Sequence, residues 1–184
     1  FSCLDMRSSY HQVAMDEKDA EKTAFFCHRG SFLYNTMPMG LRNSGATFQR
    51  LMDMVMAGLT FEVCLVYLDD IVVFSKTLEE HLQRLEMVLQ RLVDTGLKLK
   101  PSKCRMLQRR IVFLGHVVTE DGVSTDPAKN EQISRWPRPT SFREVRGFLG
   151  LCGYYRKFID RYAEIAAPLT SMLKKGNRFC WSDE

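Results

Sequence analysis

Two apolar runs, Val63-Cys64-Leu65-Val66 and Ile71-Val72-Val73-Phe74, flank the tetrad Tyr67-Leu68-Asp69-Asp70. Both runs are β-branched or large, and each is too short to span a membrane. They read as two strands of a buried hairpin. Thr23 to Met37 alternates loosely around Arg29-Gly30 and suggests a second hairpin. Ser44 is placed to cap a helix running to about Ala57, with Phe48, Leu51, Met52, Val55 and Met56 on its inner stripe. Thr77-Leu78-Glu79-Glu80 is a capping box opening a helix whose stripe is Leu82, Leu85, Val88, Leu89, Leu92 and Val93, closed by Gly96. Ile111 to Val118 reads as a strand, and Glu120-Asp121-Gly122 as a turn into another. Ser141-Phe142-Arg143-Glu144 is a second capping box. Behind it Val145, Phe148, Leu149 and Cys152 form an apolar face with Arg143, Arg146, Arg156 and Lys157 interleaved. This order predicts an α+β fold, a mostly antiparallel sheet with helices on one face. Strand pattern gives way to basic helices near Asp126-Pro127.

The chemistry suggested by this pattern lies in the hairpin joint. Two like charges ~4 Å apart repel by roughly 4 kcal/mol at an effective dielectric near 20, and desolvation adds to that cost. A polyvalent cation relieves both, and an all-oxygen carboxylate site suits a hard one such as Mg²⁺. The other reading is a polar turn, for which Asp is a common residue. Phe1-Ser2-Cys3-Leu4-Asp5-Met6 has the composition of a short strand with a third carboxylate near its end. Metal-assisted phosphoryl transfer needs ligands from separate elements converging on two ions. Asp5 would have to lie beside the hairpin for that purpose.

Composition narrows the field. At 184 residues and 45% hydrophobic, the chain can build one domain of ordinary size, or a compact domain with a small appendage, and is not disordered. It carries no signal-peptide pattern and no membrane-spanning run, so secretion and membrane insertion are not expected. Six cysteines are scattered without metal-type spacing and read mostly as buried free thiols in a reducing compartment. Four equally dispersed histidines argue against a zinc site. Charge is uneven. Residues 128–178 hold 11 Lys/Arg against 4 Asp/Glu, whereas residues 1–127 hold 15 against 16. A basic module next to a nearly neutral one suits phosphate-backbone binding beside a catalytic part, and an ordinary solvated helix surface would look the same.

Several motifs stand in order along the chain: Leu4-Asp5-Met6-Arg7-Ser8-Ser9-Tyr10-His11-Gln12, Met37-Pro38-Met39-Gly40-Leu41-Arg42-Asn43, Ala46-Thr47-Phe48-Gln49-Arg50-Leu51-Met52 and Tyr67-Leu68-Asp69-Asp70. Phe113-Leu114-Gly115-His116-Val117, Phe148-Leu149-Gly150-Leu151, Tyr154-Tyr155-Arg156-Lys157-Phe158-Ile159 and Ala166-Ala167-Pro168-Leu169-Thr170 follow. Each is weak alone, but the ordered set is specific and covers nearly the whole chain. In content and order it resembles the reverse transcriptases of gypsy-type long-terminal-repeat retrotransposons.

The resemblance implies a right-hand polymerase palm with part of the fingers over residues 1–126, a helical thumb over 127–178, and the start of a connection and ribonuclease H region over 179–184. It implies RNA-directed DNA polymerase activity, with Asp5, Asp69 and Asp70 holding two Mg²⁺ ions (Mn²⁺ as an alternative). Tyr10 falls where the family has an aromatic under the incoming sugar, excluding a 2′-hydroxyl by clash; spacing alone favours a core tyrosine. Met37, Pro38, Met39 and Gly40 resemble the loop lining the nucleotide pocket, with Gln49 on the helix beneath. Tyr67 and Leu68 accompany the carboxylates at the primer. Phe113, Leu114, Gly115 and His116 look like the grip on the primer terminus, where glycine allows close backbone approach, though a simple bulge would use Gly115 too. Arg143, Arg146, Arg156 and Lys157 are candidates for template–primer phosphates.

The implied partners are an RNA or DNA template with its primer, dNTPs, and the rest of a Pol polyprotein: fingers, connection, ribonuclease H and integrase. The implied location is a cytoplasmic virus-like particle, with later passage into the nucleus. Two positions depart from the family pattern. Met39 stands where related elements carry Phe, and Ser44-Gly45 replaces Ala-Pro. Neither touches a carboxylate, so the centre is expected to be intact. The rival reading is a catalytically inactive, nucleic-acid-binding remnant; a further one is a structural relic that keeps only the fold.

Overall fold

The computed structural model describes residues 1–181. In chain order the elements are β1 (Ser2–Asp5), α1 (Glu17–Ala20), β2 (Phe25–Cys27), β3 (Gly30–Phe32), α2 (Ser44–Val55), β4 (Cys64–Tyr67), β5 (Asp70–Val73) and α3 (Leu78–Asp94). They continue with β6 (Ile111–Phe113), β7 (His116–Thr119), β8 (Gly122–Thr125), α4 (Pro127–Ser134), α5 (Phe142–Tyr154) and α6 (Tyr162–Met172). The fold is α+β, as the pattern predicts. Two compact units divide after Ile111. The change from strand to helix falls later, at Asp126, whose side chain caps α4 by accepting the Ala128 amide.

The first unit is built on an antiparallel sheet of order β1-β5-β4. Period-2 alternation places Leu4, Cys64, Ile71 and Val73 on one face. There they pack with Phe48, Met52 and Met56 from the α2 segment and with Val88 and Leu92 from α3, all nearly or fully buried. The outer edge of β1 is also occupied. Cys3 and Arg105 exchange backbone hydrogen bonds at 2.8 and 2.9 Å, and the Lys100 amide donates to the Asp5 carbonyl at 2.8 Å. β1 is therefore an interior strand, which the sequence pattern did not indicate. The hairpin expected around Arg29-Gly30 forms as β2 and β3.

The second unit carries the sheet β6-β7-β8 and the helices α4, α5 and α6. Val145 is buried completely on α5, with Cys152 and Tyr155 also buried.

The capping boxes form as read. Thr77 Oγ1 accepts from the Glu80 amide while Glu80 returns a carboxylate oxygen to the Lys76 amide. Ser141 and Glu144 repeat the arrangement, with the Thr140 amide as the second donor. Four expectations are corrected. Ser44 is not a cap: it is the first helical residue, buried, and its hydroxyl donates to the Pro38 carbonyl at 3.0 Å. The predicted strand Ile111–Val118 is a hairpin, broken at Leu114-Gly115 where both residues have positive φ. On α3, Leu82 and Val93 lie exposed while His81 is buried, because hydrogen bonds to Ser2 and Ser75 satisfy both ring nitrogens. Of the six cysteines, all free, only Cys64 and Cys152 are buried; burial pushes the Cys64 thiol up to about 11.

Candidate active site

Register decides the site. Asp5 on β1 stands directly opposite Asp70 on β5, and Tyr67 pairs with Asp70 across the β4–β5 hairpin. Leu68 and Asp69 are then a two-residue loop. Leu68 takes the left-handed φ of +53° that such a turn requires at its first position. That conformation costs a leucine about 1–2 kcal/mol. Gln49 on α2 steadies it: its side-chain oxygen accepts the Leu68 amide at 2.7 Å, while its nitrogen donates to Asp53. The Asp69 carbonyl accepts the Met6 amide at 3.2 Å, so the loop is also tied to the residue after Asp5. Asp5, Asp69 and Asp70 thus lie at one end of the sheet, on two strands and a loop.

Their electrostatics match this crowding. Partial desolvation raises the Asp70 carboxyl above the usual carboxylate range; repulsion from Asp69 and then Asp5 adds to it, and Lys103 offsets it. The Lys103 ammonium lies 3.3 Å from an Asp5 oxygen. Among the described residues no group of three His, Cys, Asp or Glu side chains is arranged to hold an ion as it stands. The chemistry of the three side chains fits a hard divalent cation, since each offers carboxylate oxygens, and a positive group already rests on Asp5.

A cleft of about 560 Å³ opens beside Asp5 and Asp69, walled by Met6 to Ser9 and Met39 and by Leu99, Lys100, Pro101 and Lys103. Arg7, Lys100 and Lys103 give it a cationic side that the sequence reading missed. The signal was present: residues 98–110 hold six Lys/Arg and no acid.

The nucleotide-pocket candidates gather on the same unit. Met37 and Pro38 are buried, whereas Met39 is 68% exposed and reaches the cleft. Gly40 has φ +89°, and the Ser44 hydroxyl anchors this loop to α2. Tyr10 packs edge-on against Phe48 at 5.7 Å. Gly45 is not forced by space, since an added Cβ would meet Tyr10 and Leu68 at an ordinary 3.7 Å. Tyr67 is exposed.

In the second unit Phe113 is half-buried, and Leu114 and Gly115 form the turn between β6 and β7. His116 points inward, stacked on Tyr154 at 5.1 Å and edge-on to Tyr155 at 5.5 Å. Arg143, Arg146, Arg156 and Lys157 are all exposed, and Lys157 lies over the Phe158 ring at 4.8 Å. Of the region expected to begin at residue 179, residues 182–184, with Asp183 and Glu184, lie outside the described residues.

No helix among the described residues is long and apolar enough to cross a membrane.

Comparison with known proteins agrees with this arrangement. Residues 1–118 match the family model for reverse transcriptase (RNA-dependent DNA polymerase). The chain is 49% identical over 175 residues to a retrovirus-related Pol polyprotein from transposon 297 of Drosophila melanogaster, covering 95% of this chain and 16% of that protein. It is 38% identical to the Pol polyprotein from transposon gypsy of the same fly, covering 96% and 17%. The chain therefore spans about a sixth of the length of these relatives. Among solved structures, a foamy viral protease-reverse transcriptase in complex with double-stranded DNA matches with a TM-score of 0.90 at 26% identity, over 99% of this chain and 32% of that one. The same viral protein in complex with an RNA/DNA hybrid matches with a TM-score of 0.84. With the Asp5–Asp70 register and the Asp69 loop already in place, these likenesses decide the matter: the chain belongs to the reverse transcriptase family, and its relatives are the Pol polyproteins of gypsy-type retrotransposons.

Proposed function

We propose that this chain is the palm, part of the fingers and the thumb of an RNA-directed DNA polymerase that adds dNTPs to a primer 3′-hydroxyl. The observation that carries the reading is the pairing of Asp5 with Asp70, with Asp69 in the adjoining two-residue loop. Asp5, Asp69 and Asp70 would hold two Mg²⁺ ions, which when bound supply activation of the attacking oxygen and neutralisation of the leaving pyrophosphate.

The chain's own residues do the positioning. Gln49 fixes the Leu68 amide and thereby the direction of the Asp69 side chain. Met37 to Gly40 form a pocket wall held by Ser44, and Tyr10, braced by Phe48, excludes a 2′-hydroxyl. In the second unit the turn at Phe113 to His116 is the grip on the primer terminus; in the first, Tyr67 and Leu68 are primer contacts of their own. Arg143, Arg146, Arg156 and Lys157 are the cations for template–primer phosphates. Base choice is left to pairing with the template. In this reading the partners are a primed RNA or DNA template, dNTPs and the remainder of a Pol polyprotein.

The test is primer extension on an RNA template with Mg²⁺, using the chain within its full polypeptide. The parent is expected to extend and Asp69→Asn to lose incorporation. Equal incorporation by the two proteins overturns the polymerase reading.

A further inference from the structure

The turn between β6 and β7 is held from outside its own hairpin. Leu114 and Gly115 have φ of +48° and +73°, the pair of left-handed residues that defines a tight two-residue turn. Leucine adopts that region at a cost, so its persistence calls for a restraint. Two consecutive tyrosines at the end of α5 provide it. The Tyr154 hydroxyl donates to the Leu114 carbonyl at 2.5 Å, and the Tyr155 hydroxyl donates to the Gly115 carbonyl at 2.9 Å.

The fit is close. A Cβ on Gly115 would stand 3.0 Å from the Tyr155 hydroxyl, so glycine serves space there as well as φ. His116 completes the clamp. Its ring stacks on Tyr154, meets Tyr155 edge-on and lies 5.7 Å from Phe158. Its Nδ1 is buried without a hydrogen-bond partner among the described residues. An imidazole so placed acts as a packing surface for the tyrosines. Tyr155 is itself only 3% exposed, and burial raises its phenol above the ordinary tyrosine range, which keeps the donating proton in place.

The geometry points to Tyr154 and Tyr155 as positioning residues, whose hydroxyls hold the Leu114–Gly115 turn in the one conformation that presents its backbone to the primer terminus. This rests on the polymerase reading, in which that turn meets the primer end. The tyrosines touch no reacting atom; they act through the turn. Loss of the hydroxyls leaves two carbonyls without their donors and a strained leucine without its restraint, while the exposed cations of this unit stay where they are. Catalysis is then expected to suffer more than binding.

The experiment uses the full polypeptide with Tyr154→Phe/Tyr155→Phe. A misplaced terminus is expected to slow single-nucleotide incorporation at saturating dNTP about tenfold, with the primer–template Kd unchanged. Amide exchange at Gly115 and His116 is expected to accelerate while that of the α5 interior does not. Should the double variant fold poorly, Tyr154→Phe alone, altering a half-exposed ring, is expected to give the same split more weakly. A variant that incorporates at the parental rate, or one whose Kd rises in step with the rate loss, overturns the clamp. A parent protein that extends no primer overturns the polymerase reading instead, and this role with it.

Discussion

The side-chain oxygen of Gln49 accepts the backbone amide of Leu68 at 2.7 Å, joining helix α2 to the loop that carries Asp69. Leu68 is in the left-handed region and gains from any contact that holds it there. Gln49→Ala is expected to remove one bond and leave a part-buried amide unsatisfied, at a cost of about 1–3 kcal/mol. Urea denaturation measures the loss. Incorporation should fall further than stability alone accounts for, since the loop orients Asp69.

Asp5 and Asp70, directly opposite across an antiparallel pair, work against the fold by mutual repulsion. Like charges so placed destabilise by roughly 0.2–1 kcal/mol. Asp70→Asn is accordingly expected to stabilise the metal-free protein by up to about 1 kcal/mol while weakening incorporation. Denaturation in the presence of a chelator, beside primer extension, checks the two signs. The raised Asp70 carboxyl fixes the direction with pH: mild acidification relieves the repulsion, and rising pH restores it.

His81 gives stability of the opposite sense. The Ser75 hydroxyl donates to the Thr77 carbonyl and so accepts from Nδ1–H, leaving Nε2 to accept from Ser2 at 2.7 Å. Ser2 in turn accepts the Leu107 amide. A protonated ring would leave the Ser2 hydroxyl without an acceptor. Burial, with a smaller contribution from Arg84, lowers the His81 pKa below its ordinary 6.5. Neutral His81 therefore stabilises fully above about 6.5, and this contribution drains away as pH falls through the lower folded value. The urea midpoint should drop between pH 7 and pH 5, and His81→Gln should remove the His81 part of that slope while being less stable at pH 7.

Thr77 caps α3 through the Glu80 amide at 3.2 Å. Thr77→Ala should cost about 1 kcal/mol. The reduction should appear as a lower melting temperature, with incorporation unaltered where the protein remains folded.

What could be read from the sequence was local. Thr77 with Glu80, Ser141 with Glu144 and the β4–β5 hairpin follow from chemistry within a few residues, and all three form. Helical spacing alone could not tell that Leu82 and Val93 face solvent while His81 turns inward, because the partners of His81 come from β1 and from Ser75. Ile111 to Val118 reads as a strand on either side of Gly115, and the turn that breaks it at Leu114-Gly115 is held by tyrosines about forty residues away. Ser44 has the right type for a cap, yet the carbonyl of Pro38 claims its hydroxyl. The pairing of Asp5 with Asp70 was required by the chemistry but not given by spacing. Lys103 was overlooked because the balance over residues 1–127 hid a local run of positive charge.

The interior position of β1 has a consequence for biosynthesis. The strand carrying Asp5 precedes both of its neighbours, which lie some seventy and a hundred residues downstream. A nascent chain cannot pair Ser2 to Asp5 on both sides until residue 105 has left the ribosome, and such long loop closures are slow steps. Asp5 and Asp70 therefore come together only after the intervening chain, with α2 and the β4–β5 hairpin, has been made.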